Sequence, residues 1–141
     1  MSLELHWSPP LVIDGHIYAF SGRNEPDGVL RCVKWSDGEL KWESQGTPEG
    51  MGIPDRRDFE AIRRFRESRF GRGSGIYADG KMYLLGERGL LTMARPNAEK
   101  YIELGRMDTG LKYPCWTAPI LSNGILYLRS EDTLLALKVT K

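Results

Sequence analysis

Three short phrases of the sequence repeat one another: "DGHIYAF" at residues 14–20, "DGKMYLL" at 79–85 and "NGILYLR" at 123–129. Each has Asp or Asn, then Gly, two variable residues, a Tyr and further apolar residues. An Asp-Gly or Asn-Gly pair between apolar segments is a strong hairpin signal, because a tight turn needs positive φ angles that Gly adopts without steric cost. The sequence therefore predicts three β-hairpins, which constrain the fold more than any other feature.

Each predicted hairpin is followed by further strand-like segments. The first unit continues with "GVLRCVKW" and "ELKWES", the second with "GLLTMAR" and "KYIEL", and the third with "DTLLALKV". A four-stranded antiparallel meander that recurs about every 40 to 50 residues is typical of a β-propeller. We therefore predict an all-β chain with about three propeller-type, four-stranded antiparallel blades. The blades are expected at 11–44, 74–105 and 116–139, in a single repeat region.

The third unit lacks a fourth strand, whereas the chain begins with a segment that resembles one. "LELHW" at residues 3–7 is similar to "GELKW" at 38–42, and we predict it to be a stray fourth strand. Propellers avoid open edges by closing the ring. An ordinary propeller has about four to eight blades. Three interpretations therefore stay open: a piece of a larger protein, a homo-oligomer whose chains complete one ring, or an open or barrel-like sheet.

An insert at residues 47–72 separates the first unit from the second. Proline and glycine residues bound it, and residues 54–70 between them are predicted to form a short helix. Pro54 suits the first helical position, and Asp58 favours the positive end of the helix dipole.

The insert carries seven arginines between residues 56 and 72. Arg63, Arg64 and Arg66 form a candidate anion patch for a phosphate, an anionic glycan or an acidic partner. The alternative is a solvated helix face on which acidic side chains pair with the arginines. The "GRGSG" that ends the insert lacks the GK[ST] of a phosphate-binding loop.

Composition excludes several classes of partner. The net charge is +1, with 40% hydrophobic and 28% charged residues, so no overall field attracts nucleic acid. No apolar run approaches the roughly 18 to 20 residues that span a bilayer. The first ten residues lack the basic and apolar regions of a signal peptide. We therefore expect either that the protein is cytoplasmic or that the sequence begins after a removed export signal.

The sequence predicts no catalytic residue and no metal site. Cys32 and Cys115 have no metal-binding spacing and are interpreted as separate buried thiols, although a disulfide between them stays open. His6 and His16 have no partners at the spacing of a catalytic triad or a metal centre.

The boundary between the third and fourth strands carries part of a family signature. Quinoprotein-type repeats have Ala-x-Asp-x-x-Thr-Gly-x-x-x-Trp at this place. Here Gly38 and Trp42 match, whereas the first three places are filled by Cys32, Lys34 and Asp37. Together with the three repeated phrases, this makes the chain resemble the C-terminal part of a PQQ-like β-propeller repeat protein of the exported bacterial kind. The resemblance covers nearly all residues outside the insert.

The resemblance implies two alternative functions. Enzymes of the family are alcohol or sugar dehydrogenases that hold pyrroloquinoline quinone (PQQ) and Ca²⁺ with a catalytic Asp and a vicinal Cys pair, and this chain has no adjacent cysteines. Other members are non-catalytic scaffolds. We therefore expect a binding or scaffold module without a cofactor, which recognises a protein or glycan partner. The resemblance also implies a periplasmic or extracellular location.

Four residues form the candidate ligand surface. Tyr113 and Trp116 precede and enter the first strand of the third unit, and first strands line the propeller axis in the family that the chain resembles. Arg129 and Glu131 end the second strand of the same unit. The alternative is that these side chains only pack in the core or rim. Glu131 and its neighbour Asp132 offer too few oxygen ligands for a metal.

Overall fold

The computed structural model describes residues 3–24 and 27–139. Within these ranges the chain forms eleven strands and one helix. The strands are β1 Leu11–Ile13, β2 His16–Ser21, β3 Val29–Lys34, β4 Leu40–Ser44, β5 Ser74–Ala78, β6 Lys81–Leu85, β7 Leu90–Arg95, β8 Ile102–Asp108, β9 Ile120–Ser122, β10 Ile125–Arg129 and β11 Leu134–Lys138, and the helix is α1 Phe59–Glu67. None of the described helical residues belongs to a segment with the length and apolar character of a membrane-spanning helix.

The three predicted hairpins are present, and their turns have the expected backbone conformation. Both central residues of each turn have positive φ, as in the type I′ turns that suit the twist of paired strands. The φ angles are 46° and 74° at Asp14 and Gly15, 51° and 73° at Asp79 and Gly80, and 49° and 73° at Asn123 and Gly124.

The strands form three antiparallel sheets, each a simple meander. The first sheet has the order β1-β2-β3-β4, the second β5-β6-β7-β8, and the third β11-β10-β9. This confirms the prediction of an all-β chain of propeller-type sheets with one short helix. The third sheet has three strands, as the sequence indicated.

The second sheet lies between the other two, and residues of its strands β6 and β7 pack against one neighbour on each face. Met82 and Leu84 of β6 belong to a core cluster shared with the first sheet. Tyr83 and Leu85, which alternate with them, belong to a second cluster shared with the third sheet. Because side chains alternate between the faces of a strand, the continuous apolar run in β6 serves two interfaces.

The prediction of a fourth strand at residues 3–7 is wrong. These residues form no strand and do not pair with β11. The Glu4 carbonyl accepts a hydrogen bond from the Gly22 N–H (3.1 Å), and the Glu4 N–H donates to Ser21 Oγ (3.0 Å). The physical reason is that these residues make other contacts, since the Trp7 ring packs on Trp116 at 5.3 Å, in the segment before β9.

The helix of the insert is shorter than predicted. It begins at Phe59, because Asp58 caps it by accepting a hydrogen bond from the Ala61 N–H at 2.9 Å. None of its residues is buried, and Phe59 is 83% exposed. The chain returns to the core only after the helix, at the fully buried Phe70.

Both cysteines are free and buried, Cys32 in the first core cluster and Cys115 in the second. Burial, followed by the nearby charge of Glu87, raises the pKa of the Cys115 thiol to about 11. Burial also raises the pKa of Cys32. The two thiols therefore stay protonated at neutral pH.

We expect slow alkylation of Cys115 by iodoacetamide at pH 8, since only about a thousandth of this thiol is then the reactive thiolate. Mass spectrometry of the peptides measures the rate, with urea-unfolded protein as the control. The folded pKa exceeds the ordinary value of 9.0. The contribution of this protonated thiol to the free energy of unfolding is therefore fully present below pH 9.0, and it is lost as the pH rises through about 11. Equal rates in folded and unfolded protein would contradict this assignment.

Candidate functional site

Tyr113 and Trp116 lie together in the segment that leads from β8 to β9. Their ring centroids are 5.9 Å apart, and the planes meet at 82°. The two side chains are 46% and 44% exposed, respectively, so each ring combines packing against its neighbours with contact to solvent. The edge-to-face arrangement is one that aromatic quadrupoles favour.

Two residues from distant parts of the chain complete this group. Trp7 lies 5.3 Å from Trp116, and the Arg72 guanidinium stacks over both indoles, 4.8 Å from the Trp7 ring and 5.4 Å from the Trp116 ring. An Arg72 Nη also donates to the Tyr113 hydroxyl at 3.4 Å. We call Trp7, Arg72, Tyr113 and Trp116 the aromatic cluster.

Glu87 holds two residues of the aromatic cluster, Arg72 and Trp116, in place. Its carboxylate is fully buried and accepts hydrogen bonds from the Arg72 backbone N–H (2.9 Å) and Nε (3.1 Å) and from Trp116 Nε1 (3.2 Å). Charge-assisted hydrogen bonds of this kind are stronger than neutral ones. The position of one cation and one indole is therefore set by a single carboxylate.

The backbone around Glu87 is also held on both sides. Its N–H donates to the Phe70 carbonyl at 3.0 Å, and its carbonyl accepts from the Cys115 N–H at 2.9 Å. The Glu87 carboxylate lies close to the backbone at Gly71. Only glycine leaves room for it there, because a Cβ at this position would lie 2.5 Å from Glu87 Oε1. The site therefore joins the end of the insert, the β6–β7 turn and the segment before β9.

Sequence reasoning identified Tyr113 and Trp116 but missed the other members of the site. Trp7 matches Trp42 in the repeat, which indicated packing between blades. Arg72 was grouped with the arginines of the insert. Glu87 follows a hairpin strand and has no motif around it. Their contacts join residues far apart in the chain, so no local pattern indicates them.

Arg129 and Glu131 are the other two residues of the candidate ligand surface. Both are exposed, at the end of β10 and in the turn before β11. Ser130 Oγ organises this turn by donating to Asp132 Oδ1 (3.0 Å) and accepting from the Thr133 N–H (3.2 Å). Among the described residues, neither Arg129 nor Glu131 makes a hydrogen bond, an ion pair or a ring contact with Tyr113 or Trp116.

The three arginines of the candidate anion patch have different surroundings on α1. Arg63 pairs with Glu67 at 3.8 Å, as the solvated-face alternative suggested, and Arg64 is exposed. Arg66 lines a groove of about 280 Å³ between the helix and residues 53–56. The groove is lined by apolar side chains and arginines, namely Ile53, Pro54, Ile62 and Phe65 with Arg56, Arg66 and Arg69.

The residues of the chain do not fit a quinone site of the dehydrogenase type. That site needs a vicinal Cys pair, and here Cys32 and Cys115 are buried in separate core clusters. Within residues 3–24 and 27–139, no three His, Cys, Asp or Glu side chains are grouped so that they could hold a metal ion.

Comparison with known proteins gave a structural likeness only. No protein-family model matches the chain, and no curated protein matches it. Among solved structures, the chain is similar to BamB from Moraxella catarrhalis, with a TM-score of 0.48 and 15% sequence identity. The match covers 96% of this chain and 44% of that structure, so the chain spans less than half the length of its structural neighbour.

Proposed function

We propose that this chain is a non-catalytic binding module that contacts a protein partner through the aromatic cluster. Residues that dominate binding energy at protein interfaces are mainly Trp, Tyr and Arg, and the cluster consists of these three types. Tyr113 and Trp116 are about half exposed and offer apolar area to a partner.

The observation that carries this proposal is the buried carboxylate of Glu87. It accepts from both Arg72 and Trp116 and so holds two cluster residues in one arrangement before any partner arrives. A surface that is already ordered loses less conformational entropy on binding. The support is therefore the combination of exposed rings with a fixed base, rather than exposure alone.

Trp116→Ala is expected to weaken partner binding by at least about tenfold, because hot-spot truncations cost about 2 kcal/mol or more. The wild-type chain would serve as bait to recover binding proteins from the native source. Each recovered protein would be purified, and its affinity for the wild type and for each variant would be measured by calorimetry. Trp35→Ala is the matched control, since Trp35 is 64% exposed in the β3–β4 turn.

The expected result is a loss with Trp116→Ala and an unchanged affinity with Trp35→Ala. Equal affinities for all three proteins would overturn the assignment of the aromatic cluster. Binding to a glycan array that depends on Trp116, without a protein partner, would replace the protein with a glycan as the ligand.

The groove beside α1 supports a second candidate function, the binding of an acidic partner. Its lining combines apolar side chains such as Ile62 and Phe65 with the exposed arginines Arg56 and Arg66. Ile53, also in the lining, is 90% exposed. An acidic segment with an apolar side chain matches both the lining and the charge of this groove.

This candidate predicts salt-sensitive affinity for a labelled peptide with a central Leu between Glu residues. Arg66→Ala should weaken binding clearly, whereas Arg64→Ala, with the same change in net charge outside the groove, should have little effect. The triple change of Arg63, Arg64 and Arg66 to Ala should abolish binding. Fluorescence polarisation at several salt concentrations measures all four proteins. Equal losses in both single variants would indicate a general charge effect instead of a groove.

A further inference from the structure

The first and second sheets share a register feature that makes two of their residues equivalent. In the first sheet, Tyr18 pairs with Cys32, and Cys32 pairs with Trp42 of β4. In the second sheet, Tyr83 pairs with Met93, and Met93 pairs with Gly105 of β8. Both ladders shift register directly after Cys32 or Met93. Gly105 therefore occupies the place that Trp42 has in the first sheet.

Trp42 shows what this position does when it carries a side chain. Its ring packs against Tyr18 at 5.9 Å and against Tyr101, which directly precedes β8 of the neighbouring sheet, at 6.0 Å. Its Nε1 donates to the carbonyl of Asn97 at 2.9 Å. The indole thus fills the junction between the first and second sheets.

At the junction between the second and third sheets, no side chain of residues 3–24 and 27–139 fills the corresponding space. A Cβ on Gly105 would meet no atom within 4 Å. A groove of about 420 Å³ lies here, within the size range of ligand pockets. Apolar side chains from both sheets line it, chiefly Tyr83, Met93, Met107, Leu126, Leu137 and Val139.

The groove runs beside β11, which is the edge strand of the third sheet among the described residues. Leu135 and Leu137 face the core shared with the second sheet, whereas Leu134, Ala136 and Lys138 are exposed. A strand added along β11 would place every second side chain on the groove side.

We propose that the groove and the edge of β11 together bind an extended segment of a partner protein. The partner's main chain pairs with β11, an aromatic side chain enters the groove at Gly105, and an acidic side chain lies opposite Lys138. The indole of Trp42 at the equivalent position supplies the argument for an aromatic side chain, and cross-strand charge pairing supplies the argument for the acid. This surface is separate from the aromatic cluster.

Two other occupants fit less well. Residues 3–7 are engaged elsewhere, since Trp7 packs under Arg72 at 4.8 Å and Glu4 binds Ser21. A second copy that paired through its own β11 would present Leu135 and Leu137 to the groove, which lack the reach and the N–H of an indole.

The test uses a fluorescein-labelled peptide of about eight residues, a typical strand length or slightly more. Trp and Val occupy one face of the peptide, and Thr and Glu occupy the other. We expect binding to the full chain in fluorescence polarisation. Replacing the peptide's Trp with Ala should weaken binding by at least about tenfold.

Gly105→Trp places an indole on the protein itself. This variant should raise the melting temperature, because it fills the groove, and should weaken peptide binding by at least about tenfold. Gly52→Trp is the matched control, since a Cβ there also meets nothing within 4 Å and the site lies in the insert. Its peptide affinity should equal that of the wild type.

Absence of binding at about 1 mM peptide would overturn the proposal. Binding that survives either Gly105→Trp or the loss of the peptide's Trp would also overturn it. Light scattering tests whether a second copy of the chain occupies the groove. A wild-type dimer that dissociates in Gly105→Trp would assign the groove to a second copy, against the partner proposed here. If Gly105→Trp does not fold, the comparison of the two peptides on wild-type protein still decides the outcome.

Discussion

Glu87→Ala is expected to lower the free energy of unfolding by about 3 to 5 kcal/mol, the usual cost of removing one partner from a buried ion pair. Glu87 is fully buried, and Arg72 keeps only 18% of its side chain exposed. Without the carboxylate, the Arg72 cation remains in a largely dry place. The Arg72 backbone N–H and Trp116 Nε1 lose their acceptors at the same time.

Urea denaturation followed by circular dichroism measures this loss, provided that the slope of the transition is unchanged. Glu67→Ala is the matched control, because Glu67 also pairs with an arginine, Arg63 at 3.8 Å, but both side chains are largely exposed. Exposed pairs contribute about 0 to 1 kcal/mol. Equal effects in the two variants would contradict a structural role for the buried pair.

Glu87→Gln separates the charge of this residue from its shape. The amide keeps an oxygen that accepts from one donor, but the counter-charge of Arg72 is lost. We therefore expect the free energy of unfolding of Glu87→Gln to lie between that of the wild type and that of Glu87→Ala. If glutamine is as stable as glutamate, the hydrogen bonds outweigh the charge in holding the aromatic cluster.

The parts of the fold that the sequence predicted rest on local rules. The Asp14, Asp79 and Asn123 turns follow from the need for positive φ, which is decided within two residues. The alternation in β6, where Met82 and Tyr83 face different clusters, follows from the period of a strand. Both signals are contained in short segments, so sequence reasoning reaches them.

The parts that it missed depend on contacts between distant segments. Trp7 and Trp42 lie in similar pentapeptides, yet Trp42 is in a strand and Trp7 packs on Trp116 outside any sheet. Tertiary packing overrides the local resemblance here. Likewise, Arg72 and Glu87 are 3.1 Å apart across a hairpin, and neither residue stands in a motif. Sequence reasoning therefore singled out Tyr113 and Trp116 as candidate ligand residues, but it gave no sign that Trp7 and Arg72 contact them.

The same distinction applies to the insert, where two phenylalanines have opposite environments. Phe59 begins α1 and is 83% exposed, whereas Phe70 follows the helix and is fully buried. The Phe70 ring meets Phe20 of the first sheet at 5.4 Å and Tyr101, directly before β8 of the second sheet, at 6.0 Å, both edge-to-face. The end of the insert is therefore part of the core between two sheets.

Phe70→Ala should consequently destabilise the chain by about 3 to 5 kcal/mol, the cost of the lost burial and of the cavity that remains. The neighbouring backbone cannot easily collapse into this space, because Phe70 N–H is bonded to the Gln45 carbonyl and Phe70 O to the Glu87 N–H. Phe59→Ala removes the same atoms from an exposed site and should change stability by less than about 0.5 kcal/mol.

Urea denaturation of the two variants, in parallel with the wild type, measures the difference. A large loss at position 70 with none at position 59 would mean that the helix itself adds little stability, whereas the segment after the helix anchors the first sheet to the second. Similar small effects at both positions would mean that the sheets pack without this ring. The end of the insert would then contribute no stability to the junction between the first and second sheets.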